Sequence, residues 1–240
     1  MDIAVKVDAH SVLDWLDSVQ RRQVPFAASV ALNKTARLAQ ADIRTEMQRV
    51  LDRPKPYTLG GTFVKNSTKQ SLTAIIGLKD MASTGRAAAT YLAPLLSGTP
   101  RRQTGWERAL RAMGAIPSGM RAVPAVGAKL DGYGNMNRAQ VTEIMGSLRS
   151  GMRSFKGRGK RVNAAGYFVV MPGASAHLKP GIYYRVERTG ESVIRPVVVF
   201  VKVAKYKQTI RLHAVVSRCA DRNFRREFDA ALASALATAR

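Results

Sequence analysis

A chain of 240 residues with 46% hydrophobic side chains is long and apolar enough to bury a core, which excludes a disordered polycation of the tail or linker type. Its 39 Lys and Arg against 16 Asp and Glu give a net charge of +23 and a pI near 11.1. That is far beyond the charge of about 2 to 8 that keeps a small domain soluble, and it points to anionic partners such as nucleic acid or acidic protein surfaces.

The single Cys219 rules out an internal disulfide framework and a thiolate metal cluster, and fits a reducing compartment such as a bacterial cytoplasm. Met1-Asp2-Ile3-Ala4-Val5-Lys6 has no basic region followed by a long apolar run, and no stretch approaches the roughly 18 uninterrupted apolar residues of a membrane span. Neither a secretory leader nor a membrane segment is expected. The charge is uneven: residues 1–80 carry 12 basic and 8 acidic side chains, 81–186 carry 16 and 3, and 187–240 carry 11 and 5. The middle also holds many of the glycines, so it reads as a basic, loop-rich insertion (81–163), with 1–80 and 164–240 together as the core domain.

In chain order, Ile3, Val5 and Val7 alternate as an edge strand does, and Ser11 with Asp14 is a capping-box variant opening a helix over about 12–22. Ala28, Ala31, Leu32, Ala36, Ala39, Ile43, Met47 and Val50 then recur at helical spacing after Pro25. Asn33, Lys34, Arg37, Gln40, Arg44 and Arg49 take the opposite side, which predicts a long amphipathic helix over about 25–51. Pro54 and Pro56 end it. Thr62–Val64 and Ser71–Leu78 read as strands joined by a polar turn. An alanine-rich stretch from Ala87 to Leu96, broken by Pro94, leads to Arg101-Arg102. Thr104 and Glu107 form a capping box for a helix carrying Trp106, Leu110 and Met113.

Residues 118–137 read as extended and looped, and Asn137 opens a helix bearing Val141, Ile144, Met145 and Leu148. The run Arg153, Lys156, Arg158, Lys160, Arg161, with Gly157 and Gly159 inside it, reads as a solvated loop. Gly166–Met171, Gly181–Val186 and Val197–Val203 are rich in β-branched and aromatic residues, and are expected to join the earlier hairpin in one sheet, with Thr189–Ser192 as a connector. A helix over about 218–239 closes the chain on a stripe of Phe224, Phe228, Ala231, Leu232, Ala235 and Leu236. The expected fold class is α+β: a mixed or antiparallel sheet covered by the long helix and the C-terminal helix.

Catalysis finds no constellation in the sequence. His10, His177 and His213 stand apart from any motif pairing them with Cys219 or a serine, and the sixteen acids are scattered rather than spaced as metal ligands. Gly157-x-Gly159 lacks the Gly-Lys-Ser/Thr ending of a phosphate-binding loop. No cofactor, metal or small-molecule substrate is expected. Arg101, Arg102, Arg153, Lys156, Arg158, Lys160 and Arg161 form the candidate contact surface, able to neutralise phosphates or acidic side chains without reading sequence. Tyr167, Phe168, Tyr183 and Tyr184 would suit a stacking platform for single strands, but their apolar strands favour core packing.

Taken in order, several segments resemble the minor tail protein Z family of tailed bacteriophages, related to tail-completion and head-tail joining proteins. They include Ala31-Leu32-Asn33-Lys34-Thr35-Ala36, Arg53-Pro54-Lys55-Pro56-Tyr57-Thr58-Leu59 and Phe63-Val64-Lys65. Tyr91-Leu92-Ala93-Pro94, Trp106-Glu107-Arg108-Ala109-Leu110, Ala128–Met136, Pro180-Gly181-Ile182-Tyr183, Pro196–Val201 and Phe224-Arg225-Arg226-Glu227-Phe228 continue the series. The resemblance implies a structural virion protein and not an enzyme, made in the host cytoplasm and placed at the tail or neck. Its partners would be tail-tube, tail-terminator or head-tail adaptor proteins, further copies of itself in a ring, and the packaged DNA. A nucleic-acid-binding protein without sequence specificity is the alternative that charge alone suggests.

Overall fold

Alanines at helical spacing behind Pro25 do give a long helix, Val24–Val50 (α1), in the computed structural model, which describes residues 19–82, 85–150, 166–188, 191–202 and 207–238. A π-helical turn at Val19–Gln23 runs into it, so Pro25 lies in the first turn of α1. The expected strand at 3–7 and helix residues 12–18 lie outside the described residues. After α1 come α2 (Pro56–Leu59), β1 (Thr62–Lys65), β2 (Ile75–Leu78), α3 (Ala88–Ser97), α4 (Gly105–Ala112) and β3 (Met120–Pro124). They are followed by α5 (Arg138–Arg149), β4 (Gly166–Val170), β5 (Gly181–Arg188), β6 (Glu191–Lys202) and α6 (Leu212–Ala237). The fold is α+β, and its strands pair antiparallel throughout. No helix among the described residues is long and apolar enough to cross a membrane.

Two sheets form where one was expected: β1 pairs with β2, while the other is ordered β3-β6-β5-β4. The chain accordingly divides into two compact units, Met1–Leu96 with Gln208–Arg240, and Ser97–Lys207. The inserted part is therefore larger than the expected 81–163. Residues 118–137 were expected to be extended and looped, and within them Met120–Pro124 form a strand that pairs with Val198–Lys202 along β6. That pairing ties β4, β5 and β6 to the middle of the chain rather than to its ends.

In the first unit, α1 packs along α6, and the ion pairs Lys34–Glu227 (3.7 Å) and Asp42–Arg222 (3.0 Å) set the helices antiparallel. The buried residues of both are mostly small: Ala27, Ala31, Ala36 and Ala39 on α1, and Cys219, Ala231 and Ala235 on α6. Small side chains let helices approach closely. Of the stripe expected on α6, Phe224, Phe228 and Leu232 are only half-buried and Leu236 is exposed. A second cluster joins Ile43 and Met47 of α1 to Leu59, Leu92, Ile210 and Val215; full burial of each such large side chain stabilises the unit by about 2 kcal/mol.

A polar row on α1 holds the hairpin. Ser29 Oγ and Asn33 Nδ2 donate to Ser67 O (3.2 and 3.1 Å), Ser67 N donates to Asn33 Oδ1 (2.7 Å), and Gln40 Nε2 donates to Thr62 O (3.3 Å). Asn33 and Gln40, expected on the solvent side of the helix, serve here as backbone partners. Their spacing of 29, 33 and 40 keeps all three on one face.

In the second unit one face of the four-stranded sheet packs Tyr167, Val169, Ile182, Val198 and Phe200 against Leu110 of α4 and Ile144 and Leu148 of α5. The other face buries Phe168, Val170 and Tyr183 under Ala174 and Leu178. Both faces of β4 are thus covered, which explains its unbroken apolar run. Gly181 is required by its neighbour: a Cβ there would collide with the backbone oxygen of Val198.

Candidate functional site

Clustered cations become a docking surface only if their charges are not already used inside the fold, so the acids of the second unit decide the matter. Residues 97–207 carry 20 Lys and Arg against 5 Asp and Glu, a net +15 of the total +23. Glu107, on α4, is fully buried. Its Oε1 accepts from Arg101 Nη2 (2.6 Å) and from the backbone N–H of Ala122 on β3 (2.9 Å). Its Oε2 accepts from Arg101 Nη1 (3.1 Å), Thr104 N (2.7 Å) and Thr104 Oγ1 (2.9 Å). The expected capping box is present, with Glu107 N donating back to Thr104 Oγ1 at 3.4 Å. Burial alone would raise this carboxyl, but the Arg101 guanidinium and the amide donors of Thr104 and Ala122 outweigh it and hold it down at about 2.

Asp131 spends its charge locally as well, because its Oδ1 accepts from Tyr133 N (3.0 Å) and Asn135 N (2.9 Å) in the loop before α5. Gln140 pins that loop from α5, accepting from Lys129 N at 2.7 Å.

Arg101 is therefore committed to an internal ion pair, and its place in the expected contact surface is corrected on that ground. Arg102 is exposed. Arg153, Lys156, Arg158, Lys160 and Arg161 lie outside the described residues. The structure adds exposed cations that sequence reading passed over: Arg108, Lys129, Arg138, Arg149, Lys179, Arg195 and Lys202. They are dispersed along the chain, so no local run marks them. Tyr167, Phe168 and Tyr183 are about 5% exposed and belong to the core, not to a stacking platform.

In the first unit an open cleft of about 460 Å³ between α1 and α6 is lined by Asp42, Thr45, Glu46, Arg218, Asp221 and Arg222. Its charges are largely paired, Asp42 with Arg222 at 3.0 Å and Glu46 with Arg49 at 2.7 Å. The Arg49 hydrogen bond lowers the Glu46 carboxyl, and burial pushes the Cys219 thiol up. Among the described residues no group of three or more His, Cys, Asp or Glu is placed to hold a metal ion.

The fold and surface define an α+β chain of two units with a strongly cationic inserted one. No family model, curated protein or solved structure matches it.

Proposed function

We propose that this chain is a structural protein of a tailed phage particle that acts in tail completion and head-tail joining at the neck, by protein contacts and contact with the DNA backbone. The reading is carried by the ordered resemblance along the sequence. It is supported by the inserted unit, where Glu107 and Asp131 are spent internally while Arg102, Arg108, Lys129, Arg138, Lys179 and Arg195 face solvent. Such a surface suits acidic neighbours or the packaged DNA. Particles made without the chain should accumulate as separate heads and tails, or with abnormal tail ends, in electron micrographs. Normal joined particles would overturn the reading.

The same cations favour one alternative, a protein that binds nucleic acid on its own. It predicts DNA binding by the isolated chain that falls steeply with salt, roughly one power of salt for each phosphate neutralised. Absence of binding near 0.1 M salt would exclude it.

A further inference from the structure

A half-buried arginine that meets no carboxylate keeps its charge for an anion from outside. Arg121, on β3, is such a residue. Its Nε donates to Arg101 O (3.2 Å) and its Nη1 to Met120 O (3.1 Å), both neutral acceptors. The first of these carbonyls is held in place, because Arg101 is anchored on buried Glu107. Among the described residues no carboxylate bonds to Arg121, and nothing bonds to its Nη2. The guanidinium is aimed but not neutralised.

Two exposed cations stand beside it. Arg102 follows the residue whose carbonyl Arg121 grips, and Lys202 pairs across the strands with Met120, the chain neighbour of Arg121. Neither has an ion-pair partner among the described residues. The acids of the unit are spent or distant. Glu107 is cancelled by Arg101, and Asp131 is turned onto the amides of its own loop beyond Pro124. Glu187 and Glu191 belong to the turn end of the β5–β6 hairpin, and β6 extends about 35 Å from Glu191 to Lys202. Glu143 faces Tyr167 on β4, the sheet edge opposite β3 and about 14 Å from it. At 0.1 M salt, where screening acts over about 10 Å, these distant acids do little to offset Arg121.

We infer that Arg121, with Arg102 and Lys202, binds the phosphodiester backbone of nucleic acid without reading its sequence. The free edge of the Arg121 guanidinium forks onto one phosphate, and the two exposed cations neutralise its neighbours along the strand. An acidic protein partner would need more than charge. Val123 and Val201, on the same sheet face as Arg121, are 41% and 39% exposed. Two half-covered valines fall far short of the desolvated apolar centre of a protein interface. The inference deepens the proposed reading by naming the face that meets DNA, and rests on it only for where that DNA comes from.

Anisotropy of a labelled random-sequence DNA duplex, titrated with the full chain, tests it. With about 0.9 power of salt per phosphate neutralised, one lost contact costs about tenfold near 0.05 M salt. Arg121→Gln should therefore weaken binding about tenfold and lower the salt slope by about one. Arg102→Gln combined with Lys202→Gln should lower the slope by about two and leave melting unchanged, which keeps the test open should Arg121→Gln fail to fold. Lys129→Gln combined with Arg195→Gln, exposed but remote from this end of the sheet, should change affinity by no more than about twofold. No binding near 0.05 M salt, equal losses from the two pairs, or polyglutamate bound as tightly as the duplex through the same three residues overturns the proposal. Such a failure leaves the neck reading standing, since that is judged on particles, and a failure of the neck reading leaves the duplex measurement as it is.

Discussion

Glu107 concentrates more of the second unit's stability than any charge-based reading of Arg101-Arg102 anticipates. With its carboxyl at about 2 against an ordinary value of 4.5, it is depressed in the folded state. It therefore stabilises the fold above the unfolded value and loses that contribution as pH falls from about 4.5 to about 2. A shift of this size corresponds to roughly 3 kcal/mol. Denaturant unfolding followed against pH should show a decline in that window, and Glu107→Gln should cost about 3 kcal/mol near neutrality and flatten it, because Arg101 loses its partner. Arg101→Glu should prevent the second unit from folding, whereas Arg102→Glu should leave melting unchanged. Thr35 on α1 presents the opposite case: its hydroxyl is buried with no hydrogen-bond partner among the described residues. Thr35→Val should raise stability by about 1 kcal/mol, and a lower melting temperature would contradict that.

At the level of elements, the sequence reveals helices better than it reveals pairing. The long helix expected over 25–51 is found at Val24–Val50, because alanines, Ile43 and Met47 repeat with the helical period and Pro54 bars continuation. β3 was not visible. Met120-Arg121-Ala122-Val123-Pro124 has no long β-branched run and ends in a proline, and it is a strand because β6 pairs with it and Glu107 takes its outward N–H. Asn33 and Gln40 were hidden for a related reason: a polar residue on an amphipathic helix looks solvent-facing until a backbone arrives beside it. Asn33→Leu should leave Ser67 N–H without its partner and destabilise the first unit by about 1 to 3 kcal/mol, read by unfolding. Amide exchange at Ser67 should rise with it; unchanged protection would argue against the clamp. Arg101 was legible as a cation but not as an internal one, since the acid that claims it lies six positions on, across a helix start.

For the molecule as a whole, the concentration of charge survives the change of boundaries: the inserted unit bears +15 where sequence reading placed the excess in 81–186. Reversing exposed cations, for example Arg102, Lys129 and Arg195 to Glu, should impair joining of particles while leaving the isolated chain folded. Intact joining would mean that these charges serve solubility alone. The most direct measurement is a cryo-electron reconstruction of the head-tail junction of the phage that encodes this chain. Density is expected at the head-proximal end of the tail that fits the antiparallel α1–α6 pair with its hairpin and, as a separate body, the four-stranded sheet with α4 and α5. A well-ordered junction fully explained by other proteins would contradict it.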